Sequence, residues 1–308
     1  MTTPTAHSER TDEMVGTADL SDAICVVTGA SNGIGKATAS ALAAMGARVV
    51  LVCRDRARGE AARAEIAREA ASDAVELEIA DLSSQAEIRG LASRMAVAHP
   101  RIDVLVNNAG AVNTVRTTTV DGLETTFAVN HLAYFLLTNL LLEQIRAAGR
   151  GRIVNVSSRA HMGARIDFDD LQGARRYGGM RAYGQSKLAN VLFTYELARR
   201  LAGSDVTANC LHPGVVATGF GHNNPGLLKF AVSMIRPFVL DAGRGAETSV
   251  YLAASAEVAG VTGQYFAQCK AVRSSPASYD TATAARLWQV SEELTQPRTD
   301  APARGGGA

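Results

Sequence analysis

Seven residues, Gly29-Ala30-Ser31-Asn32-Gly33-Ile34-Gly35, constrain this chain more than any other stretch. They follow residues 23–28, a short apolar run rich in β-branched side chains that reads as a buried strand. They precede an alanine-rich stretch of helical spacing that runs to about Met45 and is closed by Gly46 as a C-cap. A second apolar strand, 48–53, completes a β-α-β unit. Without side chains at Gly29, Gly33 and Gly35, the backbone can turn tightly and approach a pyrophosphate seated on the N-terminus of the helix. The order is G-x-x-x-G-x-G, not the commoner G-x-G-x-x-G, so a glycine-rich loop of some other α/β protein is the competing reading.

The alternation continues along the chain. Residues 57–71 read as a helix, 75–79 as a strand, and 84–98 as a helix with Ser84 and Glu87 in capping-box register. Strand 102–106 and a polar loop lead to 123–148, whose long apolar periodicity predicts one helix packed on a sheet. A strand at 152–156, an excursion at 159–181, a helix at 182–201, a strand at 206–211, a helix at 243–254 and a strand at 263–266 follow. Strands and helices alternating at this spacing predict a parallel, doubly wound sheet of about seven strands with helices on both faces. No linker divides it, so residues 21–295 read as a single α/β domain between loose tails at 1–20 and 296–308.

Composition excludes several classes of partner. Lysine plus arginine number 31 against 30 acidic residues, so no net field recommends nucleic acid or an anionic membrane. No run of apolar residues reaches the length of a membrane span, and the polar first residues carry no secretory signal, so the expected location is cytoplasmic. The four cysteines lie far apart with no C-x-x-C pair and read as buried free thiols. His99, His131 and His212 show no metal-ligand spacing, and no metal is expected.

The residues that carry chemistry fall at the carboxyl ends of the expected strands, where open α/β sheets bind ligands. After the second strand come Cys53 and Arg54; an arginine there can pair with the 2′-phosphate of NADP(H). One residue of register error would instead make Asp55 the ribose ligand and favour NAD(H). Asp81, after the third strand, suits an adenine amino group or a helix entry. Asn107-Asn108-Ala109-Gly110 follows the fourth strand and would otherwise be read as a turn. Tyr183 and Lys187 stand one helical turn apart, so the ammonium can lower the phenol's pKa and prepare it for general acid-base work. Tyr177 and Arg181 repeat that spacing with an arginine in place of the lysine.

Taken together, Thr28-Gly29 with Gly33 and Gly35, the Asn-Asn-Ala-Gly segment 107–110, Asn130, Ser158, the Y-x-x-x-K of Tyr183 and Lys187, and Pro213-Gly214 with Thr218 resemble a short-chain dehydrogenase/reductase of the retinol-dehydrogenase-like branch. The resemblance spans roughly residues 23–267 and implies a Rossmann-like fold. It implies Asn130, Ser158, Tyr183 and Lys187 as the catalytic set, with Ser158 preferred over Ser157 because the family places the catalytic serine second in such a pair. Asn130 would anchor a water in the proton relay. It implies cofactor contacts from Thr28, Gly29, Ser31, Asn32, Gly33, Ile34, Gly35, Arg54, Asp81, Leu82, Asn108, Ala109, Gly110, Tyr183, Lys187, Pro213, Gly214, Val216 and Thr218. NADP(H) is the preferred cofactor and NAD(H) the alternative.

The implied activity interconverts a ketone or aldehyde and an alcohol on a fairly apolar small molecule. A cofactor-binding sensor without turnover, or a tailoring enzyme that dehydrates or epimerises, are the alternatives. Family members often form homodimers or homotetramers through the helix bearing the Y-x-x-x-K. A substrate loop at about 219–242 contains the apolar stretch 227–240, which could cover a substrate, pack in the core or lie on a membrane surface. His161 and Tyr177 are candidate substrate contacts in the opposite wall, with surface positions as the plainer reading. The polar N-terminal tail stands where many relatives carry a hydrophobic anchor. Ser31-Asn32 stands where a basic residue often reinforces NADP preference.

Overall fold

A computed structural model of the chain describes residues 19–214 and 241–297. Val216, Thr218, most of the expected substrate loop and most of both tails lie outside the described residues. Strands β1 (Ile24–Thr28), β2 (Arg48–Cys53), β3 (Val75–Ile79), β4 (Val104–Asn107), β5 (Arg152–Val156), β6 (Thr207–His212), β7 (Tyr265–Ala267) and β8 (Lys270–Ala271) form one sheet in the order β3-β2-β1-β4-β5-β6-β7-β8. All neighbours pair in parallel except β7 with β8. The chain reverses its winding at β1, which pairs with both β2 and β4, and a doubly wound sheet opens its ligand crevice at such a switch point.

Burial on both faces explains why the strands read as continuous apolar runs. Val27, Val49 and Leu51 project into one core with helix α1 (Gly33–Ala44) and helix α2 (Arg56–Glu69). Val26, Val50 and Val52 project into the other, against α3 (Gln85–Ala98) and α4 (Ala133–Leu140). Asp55 caps α2 by accepting the Arg58 N–H at 2.9 Å. Ser84 caps α3 through the Glu87 N–H at 3.3 Å, but only half of the expected capping box forms. The Glu87 carboxylate reaches past Ser84 and accepts the Asp81 N–H at 2.6 Å.

The stretch 123–148 is not one helix. A single turn, Thr125–Phe127, runs into a π turn at Ala128–Leu132, then α4, then α5 (Leu142–Ala147). The Asn139 amide donates to the Phe135 carbonyl at 2.7 Å, just before the break at Leu141, and such side-chain bonding inside a helix often bends it. Helix α6 (Gly179–Arg200) carries the Tyr183/Lys187 pair, and α7 (Ala242–Ala254) precedes β7.

The last described helix, which the sequence reading did not place, is α8 (Thr281–Thr295), capped by Asp280 through the Ala282 and Thr283 N–H groups at 3.0 and 3.1 Å. Its apolar stripe, led by Leu287 and Trp288, packs on α6, whose every residue from 184 to 198 is buried. One face of α6 is covered by this last described helix.

Candidate active site

The glycine turn is shaped by what surrounds it. Gly29 and Gly33 hold φ of +67° and +55°, a region where a side chain is strained. A Cβ on Gly35 would stand 2.4 Å from both the Asn108 amide nitrogen and the Gly29 carbonyl oxygen. The turn is thus pressed against the Asn-Asn-Ala-Gly loop, and Thr28 is the strut between them. Its hydroxyl accepts the Asn108 and Ala109 N–H groups at 2.9 and 3.0 Å and reaches the Val106 carbonyl at 3.3 Å. Expected among the cofactor contacts, Thr28 is buried and spends its side chain inside the protein. Asn32, at the N-cap of α1, makes no side-chain cap bond, and the first turn holds no acidic residue.

At the end of β2, Cys53 is buried and Arg54 is exposed. Asp55 caps α2 through one carboxylate oxygen, which accepts the Arg58 N–H. Asp81 accepts the Ser83 N–H at 2.9 Å in the entry to α3, and Leu82 packs into the core. Tyr134 holds the next loop by donating to the Ala109 carbonyl at 2.8 Å, a role hidden in the periodicity of 123–148. A buried polar chain, likewise unread, runs from Thr138 through Asn107 and Asn155 to Thr194 at 2.9, 2.9 and 3.0 Å and ties α4, β4, β5 and α6 in register.

Two of the expected catalytic residues, Asn130 and Lys187, converge at Gly110. A Cβ there would lie 3.3 Å from Asn130 Oδ1 and 3.6 Å from Lys187 Nζ. Asn130 sits in the π turn, a feature that gathers at functional sites. Its Oδ1 accepts the Ala111 N–H at 2.7 Å, and its Nδ2 donates to the Ala111 carbonyl at 2.9 Å and to Ser186 Oγ at 3.0 Å. Both amide hydrogens are spent on clamping the loop to α6, so a water anchored by Asn130 would donate to one of its carbonyl oxygens.

Ser157 and Ser158 separate cleanly. Ser157 is buried and donates to the Lys187 carbonyl at 2.8 Å. Ser158 hydrogen-bonds the phenol of half-buried Tyr183 and accepts the Ala160 N–H at 3.2 Å. Lys187 is 2% exposed; its Nζ donates to the Val156 carbonyl at 2.9 Å and lies 5.7 Å from the centre of the Tyr183 ring. Desolvation brings the lysine down to about 7, while the same burial raises Tyr183 against the opposing pull of the Ser158 bond. The expected lowering of the phenol by its lysine is therefore not the balance in the protein alone. Each group is desolvated at its own cost, and the neutral forms of both are favoured.

Pro213 and Gly214 close the described segment after β6, Gly214 with φ of +86°. Two other expectations change. His161 is fully buried, with Nδ1 2.6 Å from the Ser158 carbonyl oxygen and Nε2 accepting the Ser275 N–H at 3.1 Å, so it is neither a substrate contact nor a surface residue. The Tyr177 phenol is aimed at the Asn113 carbonyl and the Glu124 carboxylate, at 3.0 and 3.1 Å. Among the described residues no cluster of His, Cys, Asp and Glu could hold a metal, and no helix is long and apolar enough to cross a membrane.

Residues 23–225 match the family model of the short chain dehydrogenases. The chain belongs to that family. Within it, the chain falls in the retinol-dehydrogenase-like branch. It is 44% identical to mouse retinol dehydrogenase 12 over 271 residues, covering 88% of this chain and 85% of the relative. Identity to human retinol dehydrogenase 14 is also 44%, over 285 residues, covering 87% and 85%. Among solved structures, an uncharacterized protein from Mycobacterium paratuberculosis aligns with a TM-score of 0.74 at 35% identity, over 92% of this chain and 96% of that one. The Pseudomonas aeruginosa RhlG/NADP complex aligns at 0.64 with 29% identity, over 80% and 95%.

A short-chain dehydrogenase works with NAD(H) or NADP(H), and the residues present fit such a group. The side-chain-free cradle at Gly29 and Gly35, opening on the uncapped N-terminus of α1, suits a pyrophosphate.

Proposed function

We propose that this short-chain dehydrogenase is an NADP(H)-dependent oxidoreductase that interconverts an apolar aldehyde or ketone and its alcohol. The observation that carries the reading is the meeting of Ser158, Tyr183 and Lys187 just past the carboxyl end of β5, with Lys187 Nζ beside Gly110. When bound, the cofactor supplies or takes the hydride. Gly29, Ser31, Asn32, Gly33, Ile34 and Gly35 would hold its pyrophosphate, and Arg54, exposed where Asp55 is occupied, would pair with a 2′-phosphate. Asn108, Ala109, Gly110 and Lys187, which lie together, would border its nicotinamide end.

Ser158 and Tyr183 orient the substrate oxygen by hydrogen bonds. Burial keeps Tyr183 protonated at neutral pH, the form that donates a proton to a developing alkoxide. Lys187, brought close to 7, can exchange a proton in the same pH range. Exposed Val115, Met162 and Met180 lie on the three segments that flank Ser158 and Tyr183, and apolar side chains there suit an apolar substrate. The names of the relatives, retinol dehydrogenases 12 and 14, point the same way, and the NADP bound to RhlG supports the cofactor. Four buried free cysteines among the described residues suit a reducing compartment such as the cytoplasm.

Mixing the purified chain with NADPH or NADH and a panel of apolar aldehydes, retinal included, tests the reading. Faster consumption of NADPH is expected. Cofactor binding without turnover of any carbonyl would replace it with the sensor reading.

A further inference from the structure

Two histidines meet one peptide group beside the serine. The amide that joins Ser158 to Arg159 offers a carbonyl oxygen, which can only accept, and an N–H, which can only donate. His161 Nδ1 lies 2.6 Å from that oxygen, and His212 Nδ1 lies 3.4 Å from that nitrogen. His161 must then carry its hydrogen on Nδ1, and its bare Nε2 accepts the Ser275 N–H at 3.1 Å. His212 must leave Nδ1 bare and carry its hydrogen on Nε2.

We infer that His161 and His212 form a clamp, working as neutral imidazoles of opposite tautomer, that fixes the Ser158–Arg159 peptide and through it the position of the Ser158 hydroxyl. Two remote segments support this amide: the end of β6 contacts it through His212, and the residues before α8 brace His161 in the adjoining 3₁₀ turn Arg159–Gly163. Ser158 stands beyond the last residue of β5, in the exit from the sheet, with φ −163° and ψ 156°. Its Oγ accepts the next N–H along, that of Ala160, so rotation of the clamped peptide would pull on the hydroxyl that meets Tyr183. The inference rests on the proposed function only in giving Ser158 a substrate to orient.

Protonation would break the clamp at both ends. A second hydrogen on His161 would face the Ser275 N–H, and one on His212 would face the Arg159 N–H. Among the described residues, the titratable groups around the pair are the Arg159 guanidinium, the phenols of Tyr265 and Tyr183, the Cys210 thiol and the two imidazoles themselves. Burial lowers both histidines, and Arg159 and His161 help bring His212 to about 4.

Nitrogen NMR of the full chain labelled in histidine reads the tautomers directly, with His161→Gln and His212→Asn assigning the signals. At about pH 6, where a free histidine is largely protonated, both should be neutral, His161 with its hydrogen on Nδ1 and His212 on Nε2. The same tautomer at both sites, or a charged imidazole at either, overturns the clamp whether or not the protein turns over a carbonyl. For the positioning role, the probe is NADPH with nonanal. His161→Leu should bind NADPH as the parent does and lose ~100-fold in kcat. His161→Gln, which keeps a donor and an acceptor, should recover most of it. Parental kcat in His161→Leu would overturn the positioning role. A parent that binds NADPH but reduces no aldehyde would overturn the proposed function, with the tautomers still deciding the clamp.

Discussion

Replacing Lys187 with methionine should make the protein more stable and catalytically dead. Burial takes the lysine from its ordinary 10.5 to about 7, and at 1.4 kcal/mol per tenfold change in proton affinity its charged form is disfavoured by ~5 kcal/mol. Against this stands the bond to the Val156 carbonyl, worth ~1.5–3 kcal/mol for a charged donor, and that carbonyl keeps the Asn190 amide at 3.4 Å. Methionine fills nearly the same volume with no charge, so a net gain of ~2 kcal/mol is expected below neutrality. The sign follows from the depressed folded pKa. Between pH 7 and 10.5 the unfolded chain holds a proton that the folded chain has released, so the lysine's cost is complete below 7 and fades as pH rises toward 10.5. Denaturant unfolding of parent and variant at about pH 6 and about pH 10 should show the gain at the lower value and its disappearance at the higher. A variant less stable than the parent at pH 6, or a gain that ignores pH, would refute the reasoning.

Other perturbations probe separate parts of the site. Gly35→Ala forces a methyl to within 2.4 Å of the Asn108 amide and the Gly29 carbonyl, and should cost ~1–3 kcal/mol of stability with at least ~10-fold weaker NADPH binding by fluorescence titration. Ser157→Ala should cost ~1–2 kcal/mol in denaturant melts through the lost bond to the Lys187 carbonyl. Ser158→Ala should leave stability nearly intact and lower kcat by ~100-fold; the reverse pattern would exchange their roles. His131 is buried among Phe127, Phe135 and Phe193 and brought from 6.5 to about 3. It stays neutral in the fold while the unfolded chain takes up a proton, so up to ~5 kcal/mol of stability present above pH 6.5 is lost as pH falls toward 3. His131→Phe should flatten that acid slope in urea unfolding at about pH 7 and about pH 4.

The doubly wound sheet was legible because each strand, buried on two faces, is a short apolar run, and each helix between strands is bounded by a cap or a glycine. Gly29, Gly33 and Gly35 announced the cradle, and the Tyr183/Lys187 spacing announced the pair on one face of a helix. What stayed hidden depends on contacts between distant segments. His161 looked like a surface residue because the Ser275 segment that buries it is 114 positions away. The π turn at Asn130 leaves the apolar pattern of 123–148 unbroken, since widening a helix by one residue in a buried stretch shifts apolar side chains among apolar neighbours. That Asp55 caps α2 depends on where the helix begins, which the spacing left open by a residue. The state of the Tyr183/Lys187 pair was misjudged for a related reason: spacing reports proximity, while burial, which reverses the expected shift of the phenol, is a property of the whole fold.

The central claim is that Tyr183 delivers the proton while a hydride reaches the carbonyl carbon. The direct measurement follows deuterium from NADPH deuterated at the nicotinamide C4 into the alcohol formed from an apolar aldehyde, with the parent and with Tyr183→Phe. The parent should place deuterium on the carbinol carbon, and Tyr183→Phe should bind NADPH normally and transfer it ~100- to 10,000-fold more slowly. Transfer by Tyr183→Phe at the parental rate would contradict the mechanism.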